Sequence, residues 1–189
     1  DNFYLAQESL HQIREDMPRG FYRQLPKLAA GPMRGYPRIY EIAQQLVAGS
    51  DARLDLEQVQ HFIVHYQDVR PLTTGELWAL PVMLRHSTLT VLTQAASQLS
   101  ARLGAPVAPF PIQNGPPTLP VSASVNGDDL VANCFTSLRT LAAFDWMDFF
   151  EQVSRVEQIL RTDPVDVYAG MDSATRNSNQ SGLPSNLTT

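Results

Sequence analysis

Residues 73–104 read TTGELWALPVMLRHSTLTVLTQAASQLSARLG and form the longest helical pattern in the chain. Thr73, with Glu76 three residues later, has the spacing of a capping box, in which two side chains satisfy free amides at a helix start. Gly104 is a suitable stop, because glycine readily takes the left-handed conformation that ends a helix. Pro81 is expected to kink the helix, since its ring clashes with the preceding turn and it has no amide donor. The segment predicts one long, bent helix.

Shorter helical patterns lie on both sides of this segment. Apolar residues recur at 3.6-residue spacing in each of them, and no pair of alternating runs flanks a hairpin turn. The predicted starts of these helices are Asn2, Pro37, Asp55, Asp128, Asp145 and Asp163, the last helix ending near Gly170. The sequence therefore predicts an all-α fold, an irregular bundle of about six to eight helices in two parts.

A change in composition separates the two parts. Residues 104–125 contain six prolines, a density that excludes a helix or a central strand and favours an extended linker. This gives an N-terminal helical part at 1–103, a linker at 104–125, and a C-terminal helical part at 126–176 that packs on the first. Residues 177–189 are mostly small and polar, which predicts a disordered tail.

Composition and charge exclude several classes of protein. The chain has 189 residues, a mass of 21.0 kDa, a net charge of −5 and one cysteine. A single cysteine excludes an internal disulfide framework and a cysteine-based zinc cluster. No apolar run approaches the roughly 20 residues of a membrane span, and no basic-then-apolar leader follows Asp1, so neither a direct span nor a signal peptide is predicted.

Positive charge is concentrated in one segment, residues 17–40, which we call the connector. It contains five basic and no acidic residues, interleaved with aromatic ones. Glycines and prolines predict a rigid, irregular segment rather than a helix. Arginine binds phosphate with a forked geometry, and tyrosine rings stack on sugars or bases. The alternative is an ordinary turn whose arginines pair with acids elsewhere, such as those after residue 127. The candidate binding residues are Arg19, Tyr22, Arg23, Lys27, Arg34, Tyr36, Arg38 and Tyr40.

Other chemical candidates are weaker. His61 and His65 share one helix face and could bind a metal, but Phe62 breaks the zinc-protease motif. The competing interpretation is that the two histidines are a polar pair beside a buried Phe62 and Ile63.

Cys134 lies on an apolar stripe, where free cysteine packs as a small core residue. The Asp128/Asp129 and Asp145/Asp148 pairs lie where helices begin, which explains their charge. No catalytic residue and no cofactor are predicted.

Several segments resemble the N-terminal region of bacterial cyclic β-1,2-glucan synthases. These are YRQLPKLAAGP at 22–32, GYPRIY at 35–40, VRPLTTGELWA at 69–79, SLRTLAAFDW at 137–146 and FFEQVSRVEQILRTDPVDVYAGMDSATR at 149–176. The resemblance implies a part of a long inner-membrane protein whose glycosyltransferase domain extends a glucan from UDP-glucose. The region precedes that domain, so no catalytic residue is carried over. The proline-rich linker and the polar end depart from the family pattern.

The resemblance implies a non-catalytic accessory domain at the cytoplasmic face of the inner membrane. Its expected partners are the glycosyltransferase domain or the membrane segments of the same protein. No nucleic-acid partner is expected. The alternative is a stand-alone helical module whose connector binds an anionic ligand or a protein partner. A third hypothesis, a small metalloenzyme, would use His61 and His65.

Overall fold

The computed structural model describes residues 2–17, 19–104, 119–121 and 125–154. Their seven helices are α1 (Asn2–Asp16), α2 (Arg19–Gln24), α3 (Arg38–Gly49), α4 (Leu56–Val69), α5 (Thr74–Leu103), α6 (Gly127–Ala143) and α7 (Trp146–Val153). No strand occurs in the described part of the chain, where β pairing is limited to an isolated bridge between Lys27 and Pro37. The prediction of an all-α fold is confirmed.

The long helix α5 has the predicted ends. Thr73 accepts the amide of Glu76 through its hydroxyl at 3.2 Å, and Glu76 accepts the Thr73 amide at 2.9 Å, which completes the capping box. Gly104 ends the helix at φ +64°. The helix runs through Pro81, and the predicted kink there stays a prediction.

The chain divides into two compact units, Asp1–Phe144 and Asp145–Thr189. In the first unit, α5 packs against α3, α6 and α1. Side chains that are at most 1% exposed fill this core, among them Ile39, Leu80, Leu84, Leu138 and Leu141. Full burial of such a side chain contributes about 1.5–3 kcal/mol, so the packing of α3, α5 and α6 stabilises this unit.

The described part of the second unit is α7 with its flanking residues. Asp145 caps α7 as predicted, accepting the amides of Met147 and Asp148 at 3.0 and 3.1 Å. The continuation of this stripe to Val156 and Leu160, the helix from Asp163, most of the linker and the tail lie outside the described residues.

Three local predictions were wrong. The cap of α6 is Asn126, whose side chain accepts the Asp129 amide at 2.9 Å, and Asp128 is inside the helix. Phe62 is 37% exposed rather than buried. The first part of the connector is helical, since α2 covers residues 19–24.

Candidate functional site

The connector begins with α2, which lies against the start of α5. A Cβ atom added to Gly75 would be 3.7 Å from the ring of Phe21 and 3.8 Å from the side chain of Leu25. These are ordinary van der Waals distances, so the α2 segment packs beside the first turn of α5 without requiring glycine at position 75. Arg19 and Tyr22 both belong to α2; the side chain of Tyr22 is half-buried, and that of Arg19 lies outside the described residues.

The remainder of the connector is a loop closed by its own backbone. The amide of Arg38 donates to Pro26 at 2.9 Å, that of Leu28 to Tyr36 at 2.9 Å, and that of Gly35 to Leu28 at 2.9 Å. Gly35 has φ +85°, a conformation that an L side chain would strain. Met33 is 1% exposed and anchors the loop tip. These bonds order the backbone of the loop more than the predicted irregular segment would be, and the predicted rigidity stays a prediction.

Arg38, the first residue of α3, is bound to Glu76 of α5. Its Nε donates to Oε1 at 2.9 Å and its Nη2 to Oε2 at 2.6 Å, while Nη2 also donates to the Pro71 carbonyl at 3.0 Å. The hydrogen bond to Glu76 raises the pKa of Arg38 above its ordinary value. Because the guanidinium is occupied within the fold, Arg38 is a structural residue rather than part of an open binding surface.

The tyrosines of the connector form an inward-facing polar cluster. Tyr40 is 2% exposed, and its hydroxyl accepts the side-chain amide of Gln44 at 2.8 Å. Its ring lies 6.1 Å from the Tyr36 ring and 5.7 Å, edge-on, from the His86 ring. Burial raises the pKa of Tyr40 well above its ordinary value, and burial followed by the nearby Tyr36 raises the pKa of Tyr22. Tyr40 is therefore unavailable for stacking on an external ligand.

The cations that face solvent are Arg23, Lys27 and Arg34, all of which are exposed. Among the described residues, no carboxylate forms an ion pair with any of them. Of the eight predicted residues, the seven with described side chains therefore divide into an inward group around Tyr40 and Arg38 and an outward group of three cations. We call this outward group the connector cations.

The metal candidates, His61 and His65, both lie on α4. His61 and His65 are exposed, and Nδ1 of His65 is 2.7 Å from the His61 carbonyl oxygen. Within the residues that the structure describes, no group of three potential metal-ligating side chains is found. Cys134 is fully buried in α6, and burial raises the pKa of its thiol to about 12, which suits a core residue and not a nucleophile.

The residues that sequence reasoning missed are the inward partners of the connector. Glu76 and Gln44 are 0% and 1% exposed, and each joins α3 to another element. Gln44 donates to Ser87 at 3.1 Å and accepts the Leu119 amide at 3.2 Å. Tyr40, Gln44 and Val47 follow helical spacing, so their common face was a signal that could have placed Tyr40 inside.

The fold and the connector together define a class of protein, an all-α module that presents an ordered basic loop. Over 104 residues, 55% of its length, the chain is 33% identical to the cyclic beta-(1,2)-glucan synthase NdvB of Rhizobium meliloti (strain 1021). The match covers 4% of that protein, so the chain spans a small part of the length of this relative. No family model matches the chain. The chain is therefore related in sequence to a region of a glucan synthase.

In the described part of the chain, no helix is long and apolar enough to cross a membrane. The longest, α5, contains Glu76, Arg85 and Arg102. Several of its apolar side chains, among them Leu80 and Leu84, are fully buried.

Proposed function

We propose that this chain is a non-catalytic helical accessory domain of a cyclic β-1,2-glucan synthase-like glycosyltransferase, acting at the cytoplasmic face of the bacterial inner membrane. The relationship to NdvB supports this proposal, because the related stretch is a small part of a much longer synthase. In this proposal, other domains of the parent protein carry out UDP-glucose-dependent glucan synthesis, and this domain supports them by contact.

The connector cations carry the proposal. Arg23, Lys27 and Arg34 are exposed and have no acidic partner among the described residues. The backbone hydrogen bonds of residues 26–38 fix the loop that bears Lys27 and Arg34. A loop that is already ordered loses little conformational entropy on docking, and cations on it favour an acidic surface. The glycosyltransferase domain or the membrane segments of the same parent protein would supply that surface.

Arg38 and the tyrosine cluster have a different part in the proposal. The Arg38–Glu76 pair fixes the end of the connector to α5, and Gln44, which donates to Tyr40 and to Ser87, joins α3 to α5. These residues hold the loop in place, so their substitution would disturb the fold. A test of docking therefore has to change the connector cations and leave Arg38 intact.

The test uses a chimera of NdvB in which this chain replaces its related region. The triple variant Arg23→Glu, Lys27→Glu and Arg34→Glu should lower cyclic glucan output about tenfold or more, since like charges brought together at an interface cost several kcal/mol. The matched control is Arg14→Glu, Arg70→Glu and Arg102→Glu, which makes the same change in net charge at exposed positions outside the connector. This control should retain output.

The result that contradicts the proposal is unchanged glucan output and unchanged membrane assembly in the connector triple variant. An equal loss in both triple variants would also contradict it, because net charge and not the connector would then be responsible.

The alternative, a stand-alone module, predicts that the isolated chain binds UDP-glucose, glucans or anionic vesicles through the same three cations. Titration of the isolated chain and of its connector triple variant with each of these distinguishes the two, because only binding through the connector cations is lost in the variant.

A further inference from the structure

A cavity lies between α3 and α4, away from every residue of the connector. It has a volume of about 500 Å³, within the range of about 300–1,000 Å³ that small-molecule sites occupy. Its wall includes the end of α3, the turn at residues 50–55 and the first two turns of α4. We call it the α3–α4 groove.

The groove combines an apolar floor with an exposed aromatic ring. Leu54 and Val59 are 7% and 2% exposed and form part of the floor. Phe62 is 37% exposed at the edge, and its ring lies 5.9 Å from that of Tyr66 in a tilted arrangement. A phenyl ring left open to solvent beside a cavity offers an apolar surface on which a flat ligand face can pack.

The polar groups of the groove are mixed in type and balanced in charge. The side chains of Gln45 and Arg53 line it and have no hydrogen-bond partner among the described residues. The amide nitrogen of Gln58 donates to Asp55 at 3.2 Å, which leaves the Gln58 carbonyl oxygen as an acceptor. One arginine and one aspartate give the groove no net formal charge. This set suits a neutral ligand that both donates and accepts hydrogen bonds.

The turn that shapes the groove is strained and firmly held. Asp51 and Ala52 have φ values of +48° and +59°, which are unusual for residues other than glycine. Ser137 of α6 donates to the Ala52 carbonyl at 2.7 Å and accepts the Leu54 amide at 2.8 Å, and Asn133 donates to the Asp51 carbonyl at 3.0 Å. Strained backbone that the surrounding structure enforces is concentrated at functional sites. The groove is thus held in its shape before any ligand arrives.

We propose that the α3–α4 groove binds a neutral saccharide of one to three rings. A sugar ring has an apolar C–H face that fits the Phe62 ring, and hydroxyl groups that can donate to and accept from Gln45, Gln58 and Arg53. With one arginine and one aspartate in its lining, the groove attracts sugar phosphates and nucleotides less than the three connector cations do. The inference goes beyond the proposed function, because the groove and the connector share no residue.

The test is an amide-shift NMR titration of the full 189-residue chain with a β-1,2-linked glucose disaccharide, a β-1,4-linked glucose disaccharide and glucose 1-phosphate. A neutral disaccharide should bind and shift the amides of residues 45–62, and glucose 1-phosphate should bind no better. Phe62→Ala should weaken this binding about tenfold, and Phe62→Trp should preserve it. The matched control is Val64→Ala, which truncates a side chain of the same helix that is 36% exposed and lies outside the groove.

Binding that Phe62→Ala lowers and Val64→Ala does not would support the inference. It would be overturned if neither disaccharide bound at millimolar concentration, if Phe62→Ala left the affinity unchanged, or if glucose 1-phosphate bound more tightly than both. Each of these outcomes leaves the chimera test of the connector unaffected, so failure of this inference is separate from failure of the proposed function.

Discussion

Arg38 and Glu76 are joined by two parallel hydrogen bonds, of 2.9 Å from Nε to Oε1 and 2.6 Å from Nη2 to Oε2. The Glu76 side chain is fully buried and that of Arg38 is 18% exposed. The same carboxylate accepts the amide and the hydroxyl of Thr73 at 2.9 and 3.1 Å. One buried carboxylate therefore caps α5 and fixes the end of the connector at the same time.

Replacing Arg38 should destabilise the protein strongly. Arg38→Ala leaves the buried carboxylate of Glu76 with no cation, and breaking a buried pair in this way costs about 3–5 kcal/mol. Because Arg38 is partly exposed, we expect a value of about 3 kcal/mol. Arg38→Lys should recover part of the loss, since an ammonium group keeps the charge but cannot form the forked pair. The free energy of unfolding from urea denaturation gives the measurement.

The control for this prediction is Arg34→Ala. Arg34 lies in the same connector and is exposed without an ion-pair partner among the described residues, so its loss should change the unfolding free energy by no more than about 0.5 kcal/mol. If Arg38→Ala had an equally small effect, the pair would not be a structural element of the connector.

A second prediction concerns Ser137, the α6 residue that holds the strained turn. Its hydroxyl donates to Ala52 and accepts from Leu54, and its residue is 1% exposed. Ser137→Ala leaves a buried carbonyl and a buried amide without this partner, which should lower the unfolding free energy by about 2 kcal/mol. Urea denaturation monitored by helical circular dichroism measures the change.

Thr136→Ala is the matched control on the same helix. The Thr136 hydroxyl is exposed and donates to the Ala132 carbonyl of its own helix at 2.9 Å. Its removal should change stability by about 0.5 kcal/mol or less. Equal effects of the two alanine substitutions would show that the Ser137 bonds contribute nothing to the turn.

Features of the fold that depend on neighbouring residues could be predicted from the sequence. The Thr73–Glu76 capping box and the Gly104 stop need only a few consecutive residues, and both were found. The partner of Arg38 could not be predicted in this way. The alternative interpretation placed the acids after residue 127, whereas Glu76 is the partner because α3 packs on α5, and helical spacing does not specify that packing.

The candidate site could be predicted only in outline. The charge pattern located the connector, but it could not separate the outward Lys27 from the inward Arg38, since both are cations in one segment. The α3–α4 groove was missed for a different reason. Its turn places Asp51 and Ala52 at positive φ without a glycine, and contacts from α6 that are distant in sequence enforce this conformation.

The last prediction concerns acid stability and rests on His86 of α5. Its Nδ1 is buried without a hydrogen-bond partner among the described residues, and Tyr40 lies edge-on at 5.7 Å. Burial lowers the pKa of His86 below its ordinary value of 6.5. The unfolded chain therefore takes up a proton at a higher pH than the folded chain, and the free energy of unfolding should fall as the pH drops below 6.5.

The variant His86→Phe keeps an aromatic ring beside Tyr40 and cannot be protonated. It should flatten the fall in the unfolding free energy between pH 6.5 and the onset of carboxylate titration, where one group contributes at most about 1.4 kcal/mol per pH unit. The control is the exposed His61→Gln, which leaves His86 in place and should therefore keep the contribution of His86 to the slope. An unchanged slope in His86→Phe would mean that another group is responsible for the acid sensitivity, because no proton can then bind at position 86.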